Sequence, residues 1–169
     1  MTGQVVIDSA EFARRGRRLE GEFAVRELPR LHDQLASTDG VVHYVLEGGL
    51  TGRREPRIEC TITGLVHLVC QRCLGALEQD ISAHSRLVLV ENENLLPTPE
   101  EEDDSADYVV ADPALDVAAL VEDEVLLALP IAPKHEQGQC VDRPADAGAG
   151  NSEKSPFAAL ARLKPQGRD

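Results

Sequence analysis

The stretch Glu59-Cys-Thr-Ile-Thr-Gly-Leu-Val-His-Leu68 decides the fold class. Cys60, Ile62, Gly64, Val66 and Leu68 fall on one side of a two-residue repeat, and Glu59, Thr61, Thr63 and His67 dominate the other. Alternation of this length reads as a β-strand with one face buried and the other in water. Upstream, Val41, His43 and Val45 alternate with Val42, Tyr44 and Leu46, which predicts a strand buried on both faces and broken by Gly48-Gly49. Downstream, Leu77 to Val90 predicts a third strand with Ile81, Ala83, Leu87 and Leu89 facing inward. Together these runs predict an antiparallel β-sheet.

Helical signals flank the sheet. Val5 to Ile7 reads as an extended segment, followed by a short helix capped by Asp8 or Ser9, whose side chains can accept from the free amides of a first turn. Leu28, Leu31 and Leu35 give a second amphipathic turn over Glu27 to Leu35. Asp112-Pro113 suits a helix start, and Pro130 a stop, so a helix is expected over Ala114 to Leu129. Its stripe of Ala114, Val117, Ala118, Val121, Val125 and Ala128, widened by Leu115, Leu120, Leu126 and Leu127, predicts burial across the sheet. The expected class is therefore α+β: an antiparallel sheet packed against one long buried helix, with short N-terminal helices and a partly disordered C-terminal tail. One domain is expected over residues 1–140, with a mobile tail over 141–169. Inside the domain, residues 91–107 hold eight acids, two prolines and no base, which reads as a solvated acidic loop. The tail ends in an apolar motif, Phe157, Leu160 and Leu163, which reads as a short helix that docks back or meets a partner.

Composition narrows the function. Only 3% of the 169 residues are aromatic, so base stacking, the usual device for single-stranded nucleic acid, is poorly supplied. The net charge of −13 repels phosphate backbones and favours basic partners. Arg14, Arg15, Arg17, Arg18, Arg53, Arg54, Arg57 and Arg72 would support direct RNA contact if they met on one face. The start, Met1 to Asp8, has neither a basic segment nor a long apolar stretch, and the apolar run Val125–Leu129 is far short of the ~18 residues of a membrane span. A cytoplasmic location is expected, with Cys60, Cys70, Cys73 and Cys140 as reduced thiols or metal ligands.

The strongest local motif is Cys70-Gln-Arg-Cys73-Leu-Gly75, placed where one strand ends and the next begins. A C-x2-C turn brings two sulfurs to one point and supplies half of a tetrahedral zinc site. His135 and Cys140, spaced H-x4-C beyond the helix, complete a candidate set of Cys70, Cys73, His135 and Cys140 for zinc. Cys60 reads as a small core residue instead. A thiol redox role for Cys70 and Cys73 would need a helix after the pair, and the flanks read as strands. Glu122, Asp123 and Glu124 diverge by ~100° per residue on a helix, which argues against shared carboxylate chemistry and gives Glu124 a structural role. His32, His43, His67 and His84 have no ligand spacing, and no nucleotide-binding or hydrolase motif is present. A non-enzymatic protein is expected.

Four stretches in this order, CQRCL at Cys70–Leu74, VEDEVLLALP at Val121–Pro130, Pro133-Lys-His135, and SPFAALARLK at Ser155–Lys164, resemble the YceD family of large ribosomal RNA subunit accumulation proteins. The resemblance implies a role in synthesis, processing or stability of 23S ribosomal RNA, with ribosomal precursors or basic ribosomal proteins as partners. The chain departs from the family pattern at Ser155, where Asn or Asp is usual, and in keeping only His135 and Cys140 where some relatives carry a second cysteine knuckle. The alternative class is a zinc-binding or thiol-based adaptor or redox protein unrelated to RNA.

Overall fold

In a computed structural model, residues 5–98 and 105–140 are described. The chain forms β1 (Val6–Ile7), α1 (Ser9–Arg14), β2 (Arg18–Ala24), β3 (Leu35–Ser37), β4 (Val41–Leu50), β5 (Pro56–Val69), β6 (Ala76–Val90), β7 (Asp107–Val110), β8 (Leu115–Asp116) and α2 (Val117–Ala128). The central sheet runs β2-β4-β5-β6-β7, with β3 pairing the end of β5 that β4 leaves free. All pairs in it are antiparallel except β6 with β7, and β1 and β8 form a separate antiparallel ladder.

The alternation in Glu59–Leu68 becomes the centre of this sheet. Cys60, Ile62, Val66 and Leu68 are buried, facing Val42, Tyr44 and Leu46 of β4 and Ile81 of β6. Burying one face of each strand removes its apolar side chains from water, the main favourable term in folding. Phe23 stacks on Tyr44 with ring centroids 5.2 Å apart. Phe12 and Ala13 of α1, Val25 and Leu31 of two 3-10 turns with Leu28 between them, and Val117, Val121 and Val125 of α2 close the same core. Among the described residues no helix is long and apolar enough to cross a membrane.

The α+β expectation is overturned. The described residues are 44% strand and 23% helix, and α2 is the one helix among them of seven residues or more. It is not the long buried helix expected over Ala114–Leu129. Leu115 and Asp116 are taken into strand pairing with Ile7 and Val6, so the helix begins at Val117, capped by Asp116, whose carboxylate accepts from the Ala118 amide at 2.9 Å. Only one stripe is fully buried, and Leu127 is 80% exposed. The short N-terminal helices reduce to six-residue α1, capped by Asp8 through the Glu11 amide at 2.8 Å, and to 3-10 turns over Val25–Glu27 and Pro29–Gln34.

Two local readings also change. Gly48-Gly49 does not break β4, which runs on to Leu50. A side chain at Gly48 would lie 2.5 Å from the Phe12 carbonyl oxygen, so glycine is there because α1 packs directly on the strand. Nor is β4 buried on both faces: Val41 and His43 are exposed. In the acidic stretch, Glu93–Leu95 forms a 3-10 turn and Asp107 begins β7, while residues 99–104 and the tail 141–169 lie outside the described residues.

Candidate metal centre

β5 and β6 are joined by the Cys70–Gly75 turn. The Leu74 amide donates to the Cys70 carbonyl at 2.8 Å and the Cys70 amide to Gly75 at 2.9 Å, with Leu74 in the left-handed region at φ 60°. This closes the turn tightly enough to point both cysteine side chains to one side. The segment after α2 then returns along the turn. The Gln71 amide donates to the Pro133 carbonyl at 2.8 Å, which anchors that segment beside the cysteines.

The result is a cluster of four ligand atoms, from Cys70, Cys73, His135 and Cys140, all within 4.8 Å of one another. Cys70 Sγ lies 3.9 Å from Cys140 Sγ, His135 Nδ1 3.4 Å from Cys73 Sγ, and His135 Nδ1 3.8 Å from Cys140 Sγ. A tetrahedral zinc with sulfur at ~2.3 Å and nitrogen at ~2.0 Å sets edges of about 3.8 Å between sulfurs and about 3.5 Å between sulfur and nitrogen. The three separations match those edges to within a few tenths of an ångström. The four residues can therefore bind a metal.

The surroundings prepare the donors. His135 Nε2 lies 2.9 Å from the Ala76 carbonyl oxygen, which can only accept, so Nε2 carries the proton and Nδ1 presents its lone pair to the sulfurs. The Cys70 thiol is buried among amides. The Cys73 amide lowers its pKa most, burial opposes this, and the His135 and Arg72 amides add to the lowering, which brings it to about 5. Burial pushes the Cys140 thiol up, and the neighbouring Cys73 and Cys70 sulfurs push it further. Three sulfurs so close oppose their joint ionisation, and a divalent cation among them removes that opposition. The Arg72 guanidinium, 3.9 Å from Cys140 Sγ, adds positive charge on the open side.

Other residues singled out in the sequence lie elsewhere. Cys60 is in the core, where burial pushes its thiol up to about 12, so it behaves as an apolar residue. His43 and His67 face Glu22 and Glu78 across strands at 3.4 and 3.7 Å. Glu122 accepts from the Arg30 amide at 2.9 Å, Asp123 pairs with the Arg30 guanidinium at 2.5 Å, and Glu124 is buried toward the sheet. The two groups the sequence could not reveal are the Ala76 and Pro133 carbonyls, since a backbone acceptor leaves no trace in residue type.

No solved structure matches the chain. A family model described as large ribosomal RNA subunit accumulation protein YceD matches residues 58–164. That span opens in β5, carries the turn and all four clustered side chains, and covers more than half of the chain, so this protein belongs to the YceD family, whose name ties it to accumulation of large-subunit ribosomal RNA.

Proposed function

We propose that this protein is a non-enzymatic ribosome-biogenesis factor that supports synthesis, processing or stability of 23S ribosomal RNA and acts through basic ribosomal proteins. Family membership supports the first part. The observation that carries the second is the state of the arginines. Arg17 and Arg18 lie beside the β4–β5 hairpin that holds Arg53, Arg54 and Arg57, and Arg72 sits at the other end of β5. At the hairpin end most of the charge is already matched. Arg15 pairs with Glu11 at 3.0 Å, Arg18 with Glu20 at 2.9 Å and Glu47 at 3.1 Å, Arg14 with Glu91 at 4.0 Å, and Arg57 with Glu59. A phosphate approaching this end meets carboxylates as well as guanidiniums, while the net charge of −13 draws basic proteins.

One observation favours direct RNA contact as a second reading. Arg53 and Arg54, at the hairpin tip, make no ion pair among the described residues. Pull-down from cell extract at graded salt, with and without ribonuclease, separates the two. Retention of a basic large-subunit protein after ribonuclease is expected. Capture of ribosomal RNA alone, abolished by Arg53→Glu with Arg54→Glu, would replace the protein-mediated reading with the second. Cells lacking the protein should hold less 23S relative to 16S ribosomal RNA, and an unchanged ratio would overturn both.

The metal in this reading is zinc, since three thiolates and one imidazole are a donor set that zinc prefers in a closed structural site. Its bonds would tie the β5–β6 turn to the segment after α2. No position is left open for substrate, which supports a structural purpose. A redox use of Cys70 and Cys73 is disfavoured because strand β6, not a helix, follows the pair.

A further inference from the structure

Helix α2 packs on β5 and β6 and leaves a gap between itself and the β6–β7 edge of the sheet. A groove of about 500 Å³ results. The buried Ile58, Leu87 and Leu89 and the half-buried Val109 form its floor, and the half-buried Leu120 and exposed Leu127 form its wall. Leu127, 80% exposed, is the one large apolar side chain of α2 left in water. The lining also holds five acids and no base: Asp107 and Glu124, Asp112 and Asp116, which accept from the Ala114 and Ala118 amides, and Asp123, which pairs with Arg30. An apolar trough with an acidic rim fits a segment that is apolar and basic.

The chain contains such a segment outside the described residues. Ser155–Lys164 carries Phe157, Leu160 and Leu163, two bases, Arg162 and Lys164, and no acid. The described chain ends at Cys140, near the contact of His135 with Ala76 at the start of β6. From Ala76 to Leu87 is eleven residues of strand, ~36 Å at the usual rise. The sixteen residues 141–156 reach ~55 Å when extended, enough to carry Phe157 to the groove.

We propose that Ser155–Lys164 of the same chain docks in this groove, with Phe157, Leu160 and Leu163 on the apolar floor and Arg162 and Lys164 toward the acids. The inference stands apart from the ribosomal reading and from the identity of the metal. Its test is photo-cross-linking in the full chain carrying p-benzoylphenylalanine in place of Leu127, an exposed position that tolerates the change. Mass spectrometry should find the link within one chain, to residues 155–164, at a yield independent of protein concentration. Phe157→Asp with Leu160→Asp should lower that yield about tenfold and raise amide exchange of residues 107–110 and 119–127 by a similar factor. Thermal unfolding of the double variant should remain cooperative, which separates loss of docking from loss of the fold. Links between two chains that grow with concentration would assign the groove to a second copy and overturn the proposal. Absence of a link to 155–164, or a yield unchanged by the double substitution, would overturn it as well.

Discussion

Cys73 and His135 are 62 residues apart in the chain, yet their sulfur and nitrogen lie 3.4 Å from each other because the Pro133 and Ala76 carbonyls pin the returning segment to the turn. Half of this was legible. C-x2-C at a strand boundary announced two converging sulfurs, and H-x4-C announced two more donors without saying where they would go. What placed them is backbone hydrogen bonding from distant positions, which residue types do not encode. If the four side chains hold zinc, Cys73→Ser should lose it and free the segment after α2. Metal analysis should then show near-complete loss. Urea unfolding should show a loss of roughly 2–4 kcal/mol, the scale of removing a cross-link that closes a long loop. Cys60→Ser should leave the metal in place while destabilising the core, because it replaces a buried sulfur with a smaller, more polar hydroxyl. Loss of metal in this second variant would show that Cys60 matters to the site.

At the level of elements, strands were read more surely than helices. Sustained alternation over β5 and β6 depends only on which face meets the core, a local property of the sequence. The start of α2 depended on a partner: Val6 and Ile7 hold Leu115 and Asp116 in a ladder, which moves the cap from Asp112 to Asp116. Strand β7 was hidden because Asp107-Tyr-Val-Val110 joins β6 directly after an acidic run. Gly48 marks another contact between elements. Gly48→Ala should push α1 off β4 and cost about 1–3 kcal/mol in urea unfolding, whereas an ordinary glycine in a strand would gain from the change. Glu124 faces the sheet beside Ser85, and burial pushes its carboxyl above the usual value of 4.5. A group raised in the folded state contributes stability that is full below about 4.5 and is lost as pH rises through the folded value. Glu124→Gln should therefore gain stability over the natural protein as pH increases from 4.5 to 8. A stability difference constant across that range would contradict the assignment.

For the whole molecule, the fold class was misread because the wide apolar surface over Ala114–Leu129 suggested one long buried helix packed on the sheet. The structure is mainly a sheet whose inner face is closed by a small helix, 3-10 turns and one short strand ladder. The two ends of β5 carry different business. One end gathers arginines, most of them matched by glutamates, and the other gathers three sulfurs and an imidazole. Excess acidity was legible from composition and sets the expected partner class. The convergence of the four donors was not, since it requires the chain to cross the molecule through α2 and come back. That convergence is the central claim, and X-ray absorption at the zinc edge on the purified full chain, with metal stoichiometry on the same sample, tests it most directly. One zinc per chain, surrounded by three sulfurs and one nitrogen, is the predicted result. A chain isolated without zinc that takes up none when it is supplied, or a bound zinc with a different sulfur-to-nitrogen count, would contradict it.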